Sequence, residues 1–436
     1  MSTFKINLGR VRILSCLVVS CFFSLSTYSC FPEEEDSKDT YTDQVNPGDT
    51  YTQETSEPGA KTNTYIFPYY PYGSGEKPYG DNKGFFKVTT DGGQATIVRL
   101  NDFYPIFNDS HSVNANGTVA FTCLADLLPE DAPKYSKLAY FSISSPHDVT
   151  FVAPPPKPVD WYWNVGDGRP FIMQDGRIIS LLSLAPDVYG SGSKDHLGIY
   201  DPTTDTWTIS PDVSGFVLAQ PEQGWDTEAG VIRGRQALSP DQTKVYLTLQ
   251  GWGVDGGSNH YDETFLAYYD IATNEFVRVY RGSNVILTAT NQSVYFSTLE
   301  GEFGDGIYAV DIDTKTVTKL EDFNSSDWSP SPTRDEIVKV WRGSGLGTFT
   351  KSGTGYDWKH IINPDNFTER TYTGLKGPAY YTENEDALIF AVSKDYNTNY
   401  DQELAVMKSP LITQNPDPEV LFYLPANFKM NFTMVR

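Results

Sequence analysis

The sequence predicts an all-β chain, a β-propeller of seven four-stranded blades closed by strands from both termini, and three observations predict it. The first is a hairpin text at Leu197 to Ile209, in which an alternating strand, a run of turn formers and a second strand follow one another. Related text stands at Gly84 to Val98, Leu138 to Val152, Leu266 to Tyr280, Ile307 to Leu320 and Trp358 to Tyr372. The second is another two-stranded unit that recurs six times, with turns marked by Gly117, Gly176, Gln242, Gln292, Asp335 and Glu385, every 43 to 66 residues. A hairpin of this size cannot bury its own apolar face, so the copies must bury it on one another, and the period is that of propeller blades with variable loops. The third is what remains at the ends: Gly84 to Val98 has only Tyr65 to Tyr70 ahead of it, and Met430 to Arg436 is a strand-like run with nothing else to pair with. A blade built from both termini accounts for both. Six blades with a terminal extension is the alternative.

Composition agrees. A chain of 436 residues, 39% hydrophobic and 14% aromatic, can bury a large core, and its 35 Gly and 28 Pro suit a turn-rich β protein.

Residues 1–29 read as a secretory signal, with Lys5, Arg10 and Arg12 ahead of an apolar run from Ile13 to about Leu25 that is too short to span a bilayer. The run ends at Ser26-Thr27-Tyr28-Ser29-Cys30, which resembles a bacterial lipoprotein box with Cys30 as the lipidated residue. Thr27 departs from that box, where an aliphatic residue is usual. Val18-Val19-Ser20-Cys21 also matches, but cleavage there would leave Phe22, Phe23 and Leu25 in the mature tail, so Cys30 is favoured. Glu34, Glu35 and Asp36 follow, which resembles the acidic export signal of Bacteroidetes-type surface lipoproteins. That resemblance implies an outer-membrane, surface-exposed protein held by a lipid anchor, working beside a TonB-dependent transporter. On composition alone the acidic run is a solvated linker. Residues 30–63, rich in Thr, Glu, Asp and Pro, are expected to be a disordered tether spanning about 30 Å, and residues 64–436 the propeller.

Of the four cysteines, Cys16 and Cys21 leave with the signal, Cys30 takes lipid and Cys123 stands alone in a strand-like run, which excludes an internal disulfide and reads as a small buried residue. Loss of residues 1–29, with three basic side chains and no acidic one, takes the formal net charge from -23 to -26. Such a surface repels phosphate backbones and argues against nucleic acid as a partner.

The turns joining strands one to two and three to four are short, while those joining two to three and blade to blade are long. Alternate turns of a meander emerge at opposite ends, so one end of the propeller should carry the elaborated loops. These are Asp160 to Arg169, Gln220 to Arg235, Gly251 to Glu263, Phe323 to Pro330 and Arg342 to Tyr356. In or beside them lie Trp161, Trp163, Trp225, Trp252, Trp328 and Trp341. Aromatic faces with a few placed polar groups suit a small-molecule or glycan ligand; the bland reading is that each indole plugs a gap between blades. Arg169, Arg233 and Arg235 precede inner strands and are expected to face the channel mouth, where they would hold an anionic ligand or pair with Asp167, Asp226 or Glu228. The ligand-binding set is therefore Trp161, Trp163, Arg169, Trp225, Arg233, Arg235, Trp252 and Trp328.

Chemistry is thinly represented. No Gly-x-Ser-x-Gly elbow is present, and His111, His147, His196, His260 and His360 are scattered without metal-ligand spacing and read as loop or surface residues. Asp395 to Glu403 alternates oxygen donors like a calcium loop but lacks the sharp-turn Gly and the terminal Glu. Asp167 with Asp226 could serve a glycosidase, although Asn108-Asp109-Ser110 does not complete the Asn-Asp-Pro-Asn signature of five-bladed glycosidases. No cofactor is expected. The turns Ser239-Pro240-Asp241 and Tyr269 to Thr273 resemble bacterial propeller repeats of periplasmic and surface proteins. The function expected is ligand or partner binding through the elaborated end, with a siderophore or similar nutrient as the cargo. Oligosaccharide binding, glycan cleavage and a non-catalytic scaffold are the alternatives, since propellers host all of these.

Overall fold

A computed structural model describes residues 50–54, 63–70, 83–91, 94–105, 110–123, 137–158, 161–165, 169–185, 194–218, 227–255, 258–281, 285–298, 305–322, 326–341, 345–362, 374–375, 377–393, 404–411, 418–424, 428 and 432–435. All belong to the unit Gln44–Arg436; Cys30, the expected signal and most of the expected tether lie outside the described residues. No helix among the described residues is long and apolar enough to cross a membrane.

Blade 1 takes β1 (Thr50–Glu54), β2 (Asn63–Tyr69), β3 (Gly84–Asp91) and β4 (Gln94–Asn101). Blade 2 is β5 (His111–Val113), β6 (Thr118–Cys123), β7 (Lys137–Ser142) and β8 (Ser145–Phe151). Blade 3 is β9 (Tyr162–Val165), β10 (Phe171–Ile172), β11 (Ile178–Ala185), β12 (Lys194–Asp201) and β13 (Thr206–Ile209), followed by the short helix α1 (Val213–Leu218). Blade 4 is β14 (Thr227–Leu238), β15 (Lys244–Asp255), β16 (Ser258–Asp270) and β17 (Glu275–Arg281), and blade 5 is β18 (Val285–Ala289), β19 (Ser293–Thr298), β20 (Gly306–Asp311) and β21 (Val317–Glu321). Blade 6 is β22 (Ser326–Pro330), β23 (Glu336–Trp341), β24 (Gly345–Ser352) and β25 (Gly355–Ile362). Blade 7 is β26 (Gly374–Leu375), β27 (Tyr380–Tyr381), β28 (Ala387–Ser393), β29 (Leu404–Pro410) and β30 (Glu419–Leu424), and β31 (Thr433–Val435) returns to blade 1.

Each blade is an antiparallel meander, and first strands of successive blades neighbour one another around the channel, as β31 does β5, β5 does β10 and β14 does β18. Blade 1 runs β31-β2-β3-β4-β1, so the C-terminus supplies its innermost strand, with Ile66 paired to Thr433 and Thr64 to Val435. Seven blades closed by both termini are thus as expected. Closure is aromatic: Phe432 is fully buried and packs on Phe67, Tyr65 and Tyr380, whose hydroxyl donates to the Phe432 carbonyl at 2.7 Å.

Second strands lie between two neighbouring blades and are apolar on both faces, as β19 and β28 are buried along their whole length. Fourth strands meet solvent on one face and alternate, as β8 and β13 do. The turns joining third to fourth strands repeat one device. The carboxylates of Asp201, Asp270 and Asp311 accept amide hydrogens from the turn, Asp205, Asn274 and Lys315 take left-handed backbone (φ 54, 59 and 58), and the Tyr200 and Tyr269 hydroxyls cap Asp205 and Asn274.

The turns joining first to second strands link the ring. Ala115 N–H donates to Gln174 (3.3 Å), Gln174 N–H to Gln242 (2.9 Å), Asp241 N–H to Asn291 (2.9 Å), the Thr290 hydroxyl to Asp335 (2.5 Å) and Thr333 N–H to Glu385 (2.9 Å). Each blade from 2 to 6 therefore lends a donor to a side chain on the same turn of the next blade.

The structure departs from the sequence expectations at several places. Asp160 to Arg169, expected as a loop, contributes Tyr162–Val165 as β9, paired with β11. Thr50–Glu54, expected in the tether, is a fifth strand on the outer edge of blade 1, its Thr/Tyr/Thr run pairing with β4 from Thr50↔Val98 to Glu54↔Gln94. Gly251 to Glu263, expected as a loop, prolongs β15 and β16 as paired strands, because backbone pairing continues to Asp255↔Ser258. Gly345 to Tyr356 is hairpin, not loop, for Gly345 and Gly347 lie in β24 beneath aromatic rings. Trp328 sits in β22, and Arg233 and Arg235 lie within β14 rather than ahead of it, since that strand begins at Thr227.

Candidate functional site

The loop-bearing end of blade 3, on the side facing blade 2, gathers Trp161, Trp163 and Arg169 of the candidates. Alternation decides which side chains share that side. Along β11, Ile178 packs with Ala120 and Leu138 of blade 2, whereas Ile179 packs toward blade 4, so the even residues of β11 face blade 2. Trp163 pairs with Leu184, and Lys194 and His196 pair with Leu184 and Leu182, which puts all three on that side. Trp161, two residues before Trp163, has the Lys194 ammonium 5.8 Å from its ring centroid. Both indoles remain partly exposed.

Each ring is held. The Trp163 indole N–H points at the Pro156 carbonyl (3.5 Å) and meets the His196 imidazole edge-on at 5.7 Å. His196 Nδ1 donates to the Ser210 carbonyl at 2.9 Å, which fixes its tautomer and turns Nε2 away from that contact. On the outer strand of the same blade, Trp207 donates to the Ala153 carbonyl at 2.8 Å and lies across Gly198, where a Cβ would meet its ring at 2.7 Å. Toward the channel, Arg169 Nε donates to the His111 carbonyl at 3.0 Å, tying blade 3 to blade 2, and no described carboxylate pairs with it. Ser110 and Thr122, on the blade 2 side of this seam, bury hydroxyls that meet no hydrogen-bond partner among the described residues.

A second aromatic group lies between blades 5 and 6. Lys339 is fully buried in an ion pair with Glu321, and its ammonium sits 5.3 Å from the Trp328 ring and 3.9 Å from that of Trp341. Burial pulls its pKa down to about 8 against the opposing effect of Glu321. Trp341 meets Trp358 at 4.5 Å, and Trp358 lies over Gly347. Trp328, 9% exposed and stacked on Phe349, is therefore a blade-packing residue, as the bland reading of a lone indole has it.

The remaining expected residues distribute as follows. Trp225, Asp167, Asp226, Asn108, Asp109 and Asp395 to Glu403 lie outside the described residues. Trp252 and Arg233 are described by their backbone alone, in β15 opposite Tyr261 and in β14 opposite Thr248. Arg235 is exposed at the irregularity of β14 between Arg233 and Ala237. His111 is buried against Phe85, apart from the loop or surface positions expected of most histidines, while His360 lies half-buried on the outer strand β25.

Nucleophilic chemistry finds no support in the neighbouring polar groups. Ser183 donates to Asp195 at 2.5 Å, but Asp195 also accepts Ile232 N–H and faces blade 4, opposite to His196, so the three form no relay. Burial pushes the Cys123 thiol up to about 12, which leaves it protonated and inert. Among the described residues no group of three or more His, Cys, Asp or Glu is placed to hold a metal ion. A hollow of about 430 Å³ lined by Pro211, Asp212, Phe216, Glu275 and Phe276 lies by α1, between blades 3 and 4.

No protein-family model matches the sequence, and no curated protein matches it. Among solved structures, a puromycin hydrolase is similar over 85% of this chain and 54% of its own, at 11% identity and a TM-score of 0.50. A putative 6-phosphogluconolactonase from Bacteroides uniformis matches over 86% of this chain and 99% of its own (12% identity, TM-score 0.43). An oligogalacturonate lyase from Vibrio parahaemolyticus matches over 87% of each chain (10% identity, TM-score 0.36). The chain spans about half the length of the puromycin hydrolase. At these identities the likeness shows the fold alone, and the site is argued from its own residues.

Lys194 and His196 were missed in the sequence. Their signal was the alternation of Lys194, His196 and Gly198 along one strand face, legible once that strand is placed beside Trp163.

Proposed function

We propose that this protein captures a ring-bearing ligand at the loop-bearing end of its propeller, on the blade 3 surface around Trp161 and Trp163, and carries out no covalent chemistry. The observation that carries the reading is the partial exposure of these two indoles beside Lys194 and His196. The partly exposed Trp207, Trp341 and Trp358 are instead laid on strand glycines or on one another, and Tyr246, Tyr269 and Phe121 are buried in the seams between blades. Indole faces bind rings through dispersion and C–H contacts, and polar donors beside them add orientation. The same reading makes Cys30 the lipid attachment point, the outer membrane its location and a TonB-dependent transporter the acceptor of the ligand.

Calorimetry against a ferric catecholate, a neutral glucan tetrasaccharide and acidic tetrasaccharides tests the capture. At least one should bind, and Trp163→Ala should weaken it by about 1 to 3 kcal/mol. Binding that ignores both Trp161→Ala and Trp163→Ala would place the site elsewhere. Separately, Cys30→Ala should release the protein from the membrane fraction and end fatty-acid labelling; labelling that survives it and is lost in Cys21→Ala would move the anchor.

A further inference from the structure

We infer that the ligand of the blade 3 surface is an anionic oligosaccharide, at least two sugar rings long, stacked on Trp161 and Trp163 with its acidic groups toward Lys194, His196 and Arg169. The inference rests on the capture reading and names its ligand class.

Residues two apart on an extended chain point the same way and lie about 7 Å apart, so Trp161 and Trp163 offer two stacking faces in a line rather than one. Each face has a basic side chain of its own. Lys194 Nζ stands 5.8 Å from the Trp161 centroid, and the His196 ring 5.7 Å from that of Trp163. Arg169 continues the row toward the channel, anchored through Nε on the His111 carbonyl. The carboxylate described beside them is Asp212, 4.0 Å from Lys194, and one of its oxygens accepts Ser214 N–H. Lys194 and His196 on β12, with Arg169 just ahead of β10, stand out in a chain of formal net charge -23.

The arrangement decides between ligand shapes. A compact metal chelate, with charge at its centre, calls for cations that converge on one point. Here each indole has a basic side chain of its own beside it, Lys194 at Trp161 and His196 at Trp163, which matches a linear ligand whose repeat carries one ring and one negative charge. A pyranose chain bearing carboxylates or sulfates has that repeat: its C–H faces lie on indoles and its anionic groups accept from ammonium, imidazole and guanidinium donors. The pinning of His196 and Arg169 by backbone carbonyls keeps them in place before the ligand arrives, which lowers the cost of binding.

Calorimetry of the full chain in detergent tests this with tetragalacturonate, a sulfated carrageenan tetrasaccharide and neutral cellotetraose. At least one acidic tetrasaccharide should bind about tenfold or more tighter than cellotetraose, and Trp161→Ala and Trp163→Ala should each weaken it about tenfold. Lys194→Gln should weaken it severalfold and flatten the loss seen on raising salt. Arg169→Lys, which keeps the charge, should be milder than Arg169→Gln, with unfolding midpoints recorded to separate lost contacts from lost seam. Equal affinity for cellotetraose, still dependent on the two indoles, would overturn the acidic class and leave the capture reading standing. Indole-dependent binding of a ferric catecholate without any glycan would do the same. Absence of indole-dependent binding to all these probes would sink both.

Discussion

Replacing Phe432 by Ala tests ring closure with a single side chain. Phe432 is 0% exposed, stacks on Phe67 at 5.0 Å with the ring planes 25° apart, and meets Tyr380 at 5.1 Å and Tyr65 at 6.0 Å. It stands immediately before β31, whose three residues pair with the inner edge of β2 beside the bridge from Phe428 to Tyr69. Truncation of a fully buried Phe costs about 3 to 5 kcal/mol, and the lower end suits a terminal strand that can relax. Stabilities of domains are about 5 to 15 kcal/mol, so the loss is a large part of the whole. With a urea slope of about 3 kcal/mol/M the unfolding midpoint should fall by about 1 M. Tyr380→Phe removes only the hydroxyl that donates to the Phe432 carbonyl and should cost about 1 kcal/mol. Urea unfolding followed by tryptophan fluorescence reads both. If Phe432→Ala unfolds within about 0.3 M of the parent, β31 does not close the ring and the packing argument fails.

Three other outcomes are expected. Lys339 has its folded pKa pulled down to about 8, below the ordinary 10.5, so between those values the folded state has released a proton that the unfolded chain still holds; stability should rise from pH 8 to 9.5 relative to Lys339→Met, and parallel pH profiles of the two would contradict it. Gly347→Ala would set a Cβ 2.3 Å from the Trp358 ring and 2.5 Å from the Lys359 carbonyl, and because the second is backbone the strand must shift, at about 1 to 3 kcal/mol in a urea titration; an unchanged midpoint would mean that the indole does not lie on this strand. Glu385→Ala removes the acceptor of the Ser331 hydroxyl, Thr333 N–H and the Arg334 guanidinium, and should lower stability by about 1 to 3 kcal/mol; a neutral result would show that the turn ring does not hold blade 6 to blade 7.

How much of this was legible in the sequence depends on the distance over which the signal acts. The hairpin turns were, because Asp201, Asp270 and Asp311 accept amide hydrogens two or three residues on. Blade closure was, because a lone strand at each end must find a partner. The links between turns were not: Gln174, Gln242 and Glu385 read as ordinary turn residues, and their acceptor role exists only once the next blade is 50 or more residues away in sequence and adjacent in space. Gly-rich text misled the reading at Gly345 and Gly347, where Gly clears space for aromatic rings within a strand rather than forming a loop. Trp328 looked like its neighbours in composition, and only the strand register, which sets it opposite Lys339, moves it from ligand surface to seam. At the blade 3 surface, Trp161, Trp163 and Arg169 could be picked from the loop, while Lys194 and His196 could not, since they come from a strand some 30 residues later.

The most direct test of the account is the affinity of the full chain for an acidic tetrasaccharide, measured by calorimetry in the parent and in Trp163→Ala at matched folding stability. The account predicts binding in the parent that weakens about tenfold in the variant. Equal affinity in the two proteins, with both folded, would contradict the assignment of the binding surface to blade 3.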